Sequence, residues 1–121
     1  MNKEFVSYEQ ALALKELGFD EPCLAKHDLK HILLRVEECK SQENAQEFDY
    51  ILAPLYQQVF RWFRERFNLD SHIQTYCLNR PKEYHWIIVF NDQAKGHGIV
   101  KIYEEAEQTC LNKLIEICKN K

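Results

Sequence analysis

The side chains in this chain that could do chemistry fall into a few small groups. Cys23, His27 and His31 are spaced i, i+4, i+8, so one helix from about Pro22 to Cys39 would carry all three on one side. Thiolate and imidazole are preferred zinc ligands, but a fourth ligand and the usual paired spacing are both missing. Cys77 and His85 fall on neighbouring predicted strands, where a thiol could meet a general base. No characteristic motif accompanies them, and a packed thiol explains Cys77 as simply. Glu37–Glu38 and Glu104–Glu105 offer adjacent carboxylates that read as solvated charges. Lys95-Gly96-His97-Gly98 is too short for a phosphate-binding fingerprint. Its lysine, histidine and backbone N–H groups could meet an anion, and a hairpin turn with positive φ is the simpler reading. These patterns predict no catalytic residue, no metal site and no cofactor.

Binding is better represented than catalysis. The segment Pro54 to Leu69, PLYQQVFRWFRERFNL, holds the densest group of aromatic and cationic side chains. At about 100° per residue, Leu52, Leu55, Tyr56, Val59, Phe60, Phe63 and Phe67 form one apolar face of a helix. Arg61 and Arg64 point away from that face. Trp62 and Arg66 share one edge, four residues apart, where a guanidinium can lie over an indole. That edge is either a recognition surface, since Trp and Arg recur at interaction hot spots, or the rim of a core with an Arg stem laid across it. A second group, Arg80, Lys82, His85 and Trp86, interleaves cations with aromatics, the pattern of a nucleic-acid contact. The candidate binding residues are therefore Trp62, Arg66, Arg61, Arg64, Arg80, His85 and Trp86.

Positioning those residues requires an α+β domain. Helix one is expected from Ser7 to Leu17, with Ser7 and Gln10 forming a capping box, Val6 stapled across the cap, and Gly18 as the left-handed stop. Cys23–His27 and His31–Val36 read as two short strands around a turn at Asp28–Lys30, in competition with the single helix above. Residues 40–49 are polar and read as a loop. The central helix follows, with Pro54 in its first turn. His72–Leu78 alternates, and Tyr84–Phe90 (YHWIIVF) is the strongest strand signal. Asn91–Gly98 reads as a turn or flexible loop, and Ile99–Ile102 as a short added strand. A last helix spans Tyr103 to Lys119, with acidic residues at its start and lysines toward its end. The order α-ββ-α-ββ-α predicts one antiparallel sheet of about four strands packed with about three helices.

Size and charge narrow the function. A chain of 121 residues with 45% hydrophobic and 12% aromatic residues is expected to be one domain, residues 1–121, with a substantial core. Its net charge of −3 argues against a protein that grips nucleic acid with its whole surface. No apolar run approaches the ~18 residues of a membrane span. The beginning, MNKEFVSYEQ, has no signal-peptide core, so a cytoplasmic protein without membrane contact is expected. Five cysteines without a C-x-x-C pair read as reduced, mostly buried thiols.

Three blocks carry a resemblance: SYEQALALKELGFDEPC (Ser7–Cys23), AP-x-YQQ-x-FRWFRERFNL (Ala53–Leu69) and YEEAEQTCLNKLIEICK (Tyr103–Lys119). Together they resemble a family of small uncharacterised proteins of phages and prophages of Bacteroidetes-type bacteria. Where similar sequences carry aromatic, strand-like residues after the first Cys, this chain has LAKHDLKH, so its two histidines look particular to it. The resemblance implies a small protein made in the cytoplasm of an infected or lysogenic bacterial cell, and it brings no activity to transfer. The expectation is a non-enzymatic interaction module of phage or prophage origin, an accessory or counter-defence factor engaging a host or phage macromolecule. The alternatives are a small nucleic-acid-associated protein using Arg61, Arg64, Arg80 and Lys82, and a small-ligand binder or minor enzyme with a pocket near His85 and Trp86. The aromatic content also allows a homodimer.

Overall fold

The computed structural model describes residues 4–28, 32–39, 51–76 and 82–120, with the backbone alone for 34–39. His31, Cys77 and Arg80, the loop read at 40–49 and the turn at 79–82 up to Pro81 lie outside the described residues. The elements in order are α1 (Tyr8–Glu16), β1 (Cys23–His27), β2 (Leu33–Cys39), β3 (Ile51–Leu52), α2 (Tyr56–Phe67), β4 (Asp70–Tyr76), β5 (Glu83–Phe90), β6 (Gln93–Val100) and α3 (Tyr103–Lys119). The chain is α+β, and among the described residues all strand pairs are antiparallel. Two three-stranded sheets, ordered β2-β1-β3 and β4-β5-β6, take the place of the single sheet of about four strands. They belong to two compact units, Met1–Gln58 and Val59–Lys121.

In the first unit, α1 forms as its sequence dictates. Ser7 Oγ accepts from the Gln10 N–H at 3.2 Å and Gln10 Oε1 accepts from the Ser7 N–H at 3.1 Å, closing the capping box. At the other end Gly18 takes φ 98°, and the Phe19 and Gly18 N–H groups reach back to the Leu14 and Lys15 carbonyls. That is a complete Schellman stop, and Phe19 is buried beneath it. Cys23 and His27 lie on β1, so the two-strand reading of this region holds. Four residues of strand separate them by roughly 13 Å, too far to share a metal ion. Beyond His27, the Asp28 carboxylate accepts from the Ile32 N–H at 3.0 Å and the Asp28 N–H donates to the Ile32 carbonyl, which ties the ends of the hairpin connection together.

The central helix begins two residues later than its proline suggested. The Val6 N–H donates to the Pro54 carbonyl, the Tyr56 N–H donates to the Glu4 carbonyl, and Phe5 bridges Leu55. Residues 4–6 thus hold 54–56 extended, and Leu52, read as part of the helix face, is instead a strand residue opposite Lys26. Phe5, Ala25 and Ala53 pack together there, with Leu33 and Leu55 at the edge.

In the second unit, α2 ends where Asn68 adopts φ 57° and the Leu69 N–H turns back to the Phe63 carbonyl. Strands β5 and β6 form a hairpin whose two turn residues, Asn91 and Asp92, have φ 51° and 64°. Positive φ at both central positions is the requirement of a two-residue type I′ turn, and Asn and Asp tolerate it best after Gly. The loop expected at Asn91–Gly98 is therefore only a two-residue turn, and β6 runs from Gln93 to Val100. Helix α3 matches its predicted span and lies against this sheet. Among the described residues, no helix is long and apolar enough to cross a membrane.

Candidate functional site

Alternation along β5 divides the second sheet into two different faces. On the inner face, Tyr84, Trp86 and Ile88 turn toward α3. Ile88 is fully buried and Trp86 nearly so, and the Tyr84 ring meets Tyr103 edge-on with centroids 5.6 Å apart. Opposite Trp86 stands Gly98, and a Cβ there would lie 2.5–2.8 Å from three atoms of the indole. A Cβ on Gly96 would come 3.0 Å from the Lys113 side chain and 3.5 Å from the indole. The two glycines are thus strand positions that let Trp86 lie flat against β6, not turn positions. Among the described residues the Trp86 indole N–H meets no hydrogen-bond acceptor.

Also under α3, Cys110 is fully buried and its thiol is pushed up to about 12 by burial, a rise partly offset by a hydrogen bond with Ser71. It stays protonated and unreactive at neutral pH. Glu107 is nearly buried, and burial followed by the neighbouring Glu104 charge raises its carboxyl to about 7. Burial, Glu107 and Glu104 in turn raise the Tyr103 hydroxyl.

The outer face is different. In register across the three strands, His72, Ile87 and His97 form one row, and Gln74, His85 and Ile99 form the next. Beyond them Tyr76 stands opposite Glu83. The Tyr76 ring stacks on His85 with centroids 4.2 Å apart and planes 33° from parallel. Glu83 lies 3.6 Å from His85 Nε2, a nitrogen that is itself shielded and makes no hydrogen bond among the described residues. His72, Gln74, Tyr76, His97 and Ile99 are all exposed, Ile99 to 59%. Between the strands lies a shallow concavity of about 290 Å³ lined by Gln74, His85, Ile87, His97 and Ile99, with Trp86 and Gly98 contributing to its floor.

This geometry rearranges the sequence-derived candidates. Trp86 and His85 are neighbours on one strand and so point to opposite faces, and the patch expected from Arg80, Lys82, His85 and Trp86 loses its tryptophan to the interior. Trp62 is buried at 6% exposure and meets Phe63 and Phe67 edge-on, with centroids 5.0 and 5.3 Å away. The buried arc of α2 runs through Tyr56, Val59, Trp62 and Phe63 and is turned toward Trp62, leaving Phe60 and Phe67 half-buried. Arg66 lies over Trp62, its guanidinium carbon 6.0 Å from the ring centroid, which is the core-rim arrangement. Arg61 and Arg64 are exposed, and Arg61 sits 4.0 Å from Glu65, a solvated pair of small energetic weight. Of the named residues, His85 lines the concavity with its side chain and Trp86 contributes to its floor. Gln74, Tyr76 and His97 were legible as strand or loop residues but not as members of one surface. The signal that joins them is β-register, which a single chain does not display.

The other polar cluster is internal to the first unit. Tyr56 donates to Gln10 Oε1 at 2.8 Å, and His27 Nε2 is 3.0 Å from the Val6 carbonyl. A carbonyl only accepts, so Nε2 carries the proton, and Nδ1 is buried with no partner among the described residues. Gln10 and His27 are both buried and tie α1, β1 and the start of α2 together. That network reads as structural.

Chemically, the outer concavity offers two imidazoles, an amide and apolar walls. Its lining carries no serine, threonine, cysteine, lysine or carboxylate. Among the described residues, no group of three or more His, Cys, Asp or Glu side chains is placed to hold a metal ion. Comparison with protein-family models, with curated proteins and with solved structures finds no match, so function has to be read from the chain's own residues.

Proposed function

We propose that the protein is a non-enzymatic binding module that engages a macromolecule through the outer face of β4-β5-β6. The observation that carries this reading is the open face itself: exposed Tyr76, His97 and Ile99 surround a concavity while α3 packs only on the other side. Exposed apolar and aromatic side chains rimmed by polar groups are the usual mark of an interaction surface. The two imidazoles of the lining have no serine, threonine, cysteine or carboxylate beside them in the concavity to complete a catalytic pair, which favours holding a partner over transforming it. The resemblance of the α1, α2 and α3 blocks to small phage and prophage proteins supports a setting in the cytoplasm of an infected or lysogenic bacterial cell, as an accessory or counter-defence factor. A second reading, a small-ligand binder, is favoured by one observation, the concavity beside His85.

Capture of partners from bacterial lysate by tagged protein, with and without nuclease, tests the leading reading when wild type is compared with Ile99→Asp. Ile99 is too exposed for this change to disturb the core. Retention by wild type and loss by the variant is the expected result. Equal retention by both would move the binding surface elsewhere, and a small molecule carried by the purified protein would favour the second reading.

A further inference from the structure

We propose that the macromolecule held on the outer face is a single-stranded nucleic acid, with one base seated in the concavity between His85 and His97. This inference rests on the reading of the outer face as the binding surface. Four side chains with planar rings, His72, Tyr76, His85 and His97, stand on this one face and are distributed over all three strands. Neighbouring rows and diagonals on a sheet are roughly 7 Å apart, so successive unstacked bases can each find a ring. The Tyr76–His85 stack already presents a preformed planar platform beside the concavity. Within the concavity, Ile87 and Ile99 give an apolar seat, and the Gln74 amide offers both a donor and an acceptor to a base edge. Only an unpaired base can offer its face and edge together, so a duplex does not fit.

Lysines stand at both ends of the sheet, where a phosphate chain crossing it would pass. Lys82 precedes β5 and Lys101 follows β6, which places both exposed lysines at the same end of the sheet. Lys95, also exposed, lies at the register shift of β6 toward the other end. Among the described residues, the acidic side chains on this face are Asp70 at one end and Glu83, beside His85, at the other. Three lysines predict a modest salt dependence, with a slope of about −2 in log affinity against log salt. Stacking must supply the rest, consistent with an overall charge of −3.

Fluorescence anisotropy with labelled 12-nucleotide single strands (oligo-U and oligo-dT), a mixed-sequence 12-base-pair duplex and uridine monophosphate provides the test. The single strands are expected to bind, weakening about fifteen-fold between 50 and 200 mM salt. Tyr76→Ala and His97→Ala are each expected to weaken binding about tenfold while leaving the unfolding midpoint unchanged. Absence of single-strand binding at 50 mM salt, equal binding of the duplex, equal binding of the mononucleotide, or undiminished binding by both variants would each overturn the inference. Partner capture that survives nuclease but is lost in Ile99→Asp would sink the nucleic-acid assignment and leave the binding-module reading standing. Capture unaffected by Ile99→Asp would sink the reading itself.

Discussion

The two faces of β4-β5-β6 share the same backbone and yet answer to different demands. Inward, Trp86 and Ile88 are buried, and two glycines on β6 give up their side chains so that an indole can lie against the strand. Outward, one residue away at each step, His85 and Ile87 remain partly open and are flanked by exposed His97, Ile99 and Tyr76. Packing dictates residue size on the first face. On the second, packing leaves the residue types free, and the ones present are planar, amphipathic and capable of hydrogen bonding. Residues of these types on an open face are the basis of the proposed binding role.

Neighbouring isoleucines give the largest contrast. Ile88→Ala is expected to cost about 4 kcal/mol, from lost burial plus a cavity, and Ile87→Ala about 1 kcal/mol, read as the shift in denaturant midpoint. Equal losses would mean that the outer face is packed after all. Next in size, Gly98→Ala forces a methyl group into the indole of Trp86 and is expected to cost about 3 kcal/mol. Gly96→Ala, where the closest contact is the flexible Lys113 stem, should cost clearly less. A smaller effect tests the inner face electrostatically. Glu107 has its carboxyl raised to about 7 from 4.5, so the folded state holds that proton more tightly than the unfolded chain. The contribution is therefore fully present below about pH 4.5 and is lost as pH rises through 7. With solvent screening allowed for, this amounts to about 1 kcal/mol, and Glu107→Gln is expected to be more stable than wild type by that amount at pH 8 and equal to it at pH 4. Smallest of all, His97→Ala is expected to change stability by less than about 0.5 kcal/mol in the same unfolding experiment, because its side chain is exposed.

Much of the fold was legible because local chemistry fixes it. The Ser7–Gln10 box, the Gly18 stop and the span of α3 follow from side chains within a few residues of each other, and the structure reproduces them. The alternating hydrophobic run of β5 was equally plain. What escaped was non-local. Ile51–Leu52 is too short to show a period, and only its pairing with Lys26 and His27 makes it a strand. Gly96 and Gly98 signal a turn when read alone, and only the indole lying on them explains why they sit in β6. Trp62 looked like an edge residue until the buried arc of α2 was seen to include it. The same blindness applies to the candidate site. His85 was singled out, but its companions Gln74, Tyr76 and His97 come from three strands brought into register by the sheet.

The most direct measurement is a methyl spectrum of isoleucine-labelled protein titrated with the 12-nucleotide single strand. Ile87 and Ile99 report on the outer face, and Ile88 and Ile115 on the interior beneath α3. Binding on the outer face should move Ile87 and Ile99 progressively and leave Ile88 and Ile115 in place. Shifts confined to Ile88 and Ile115, or a spectrum that does not change, would contradict the assignment of this face as the binding surface for the strand.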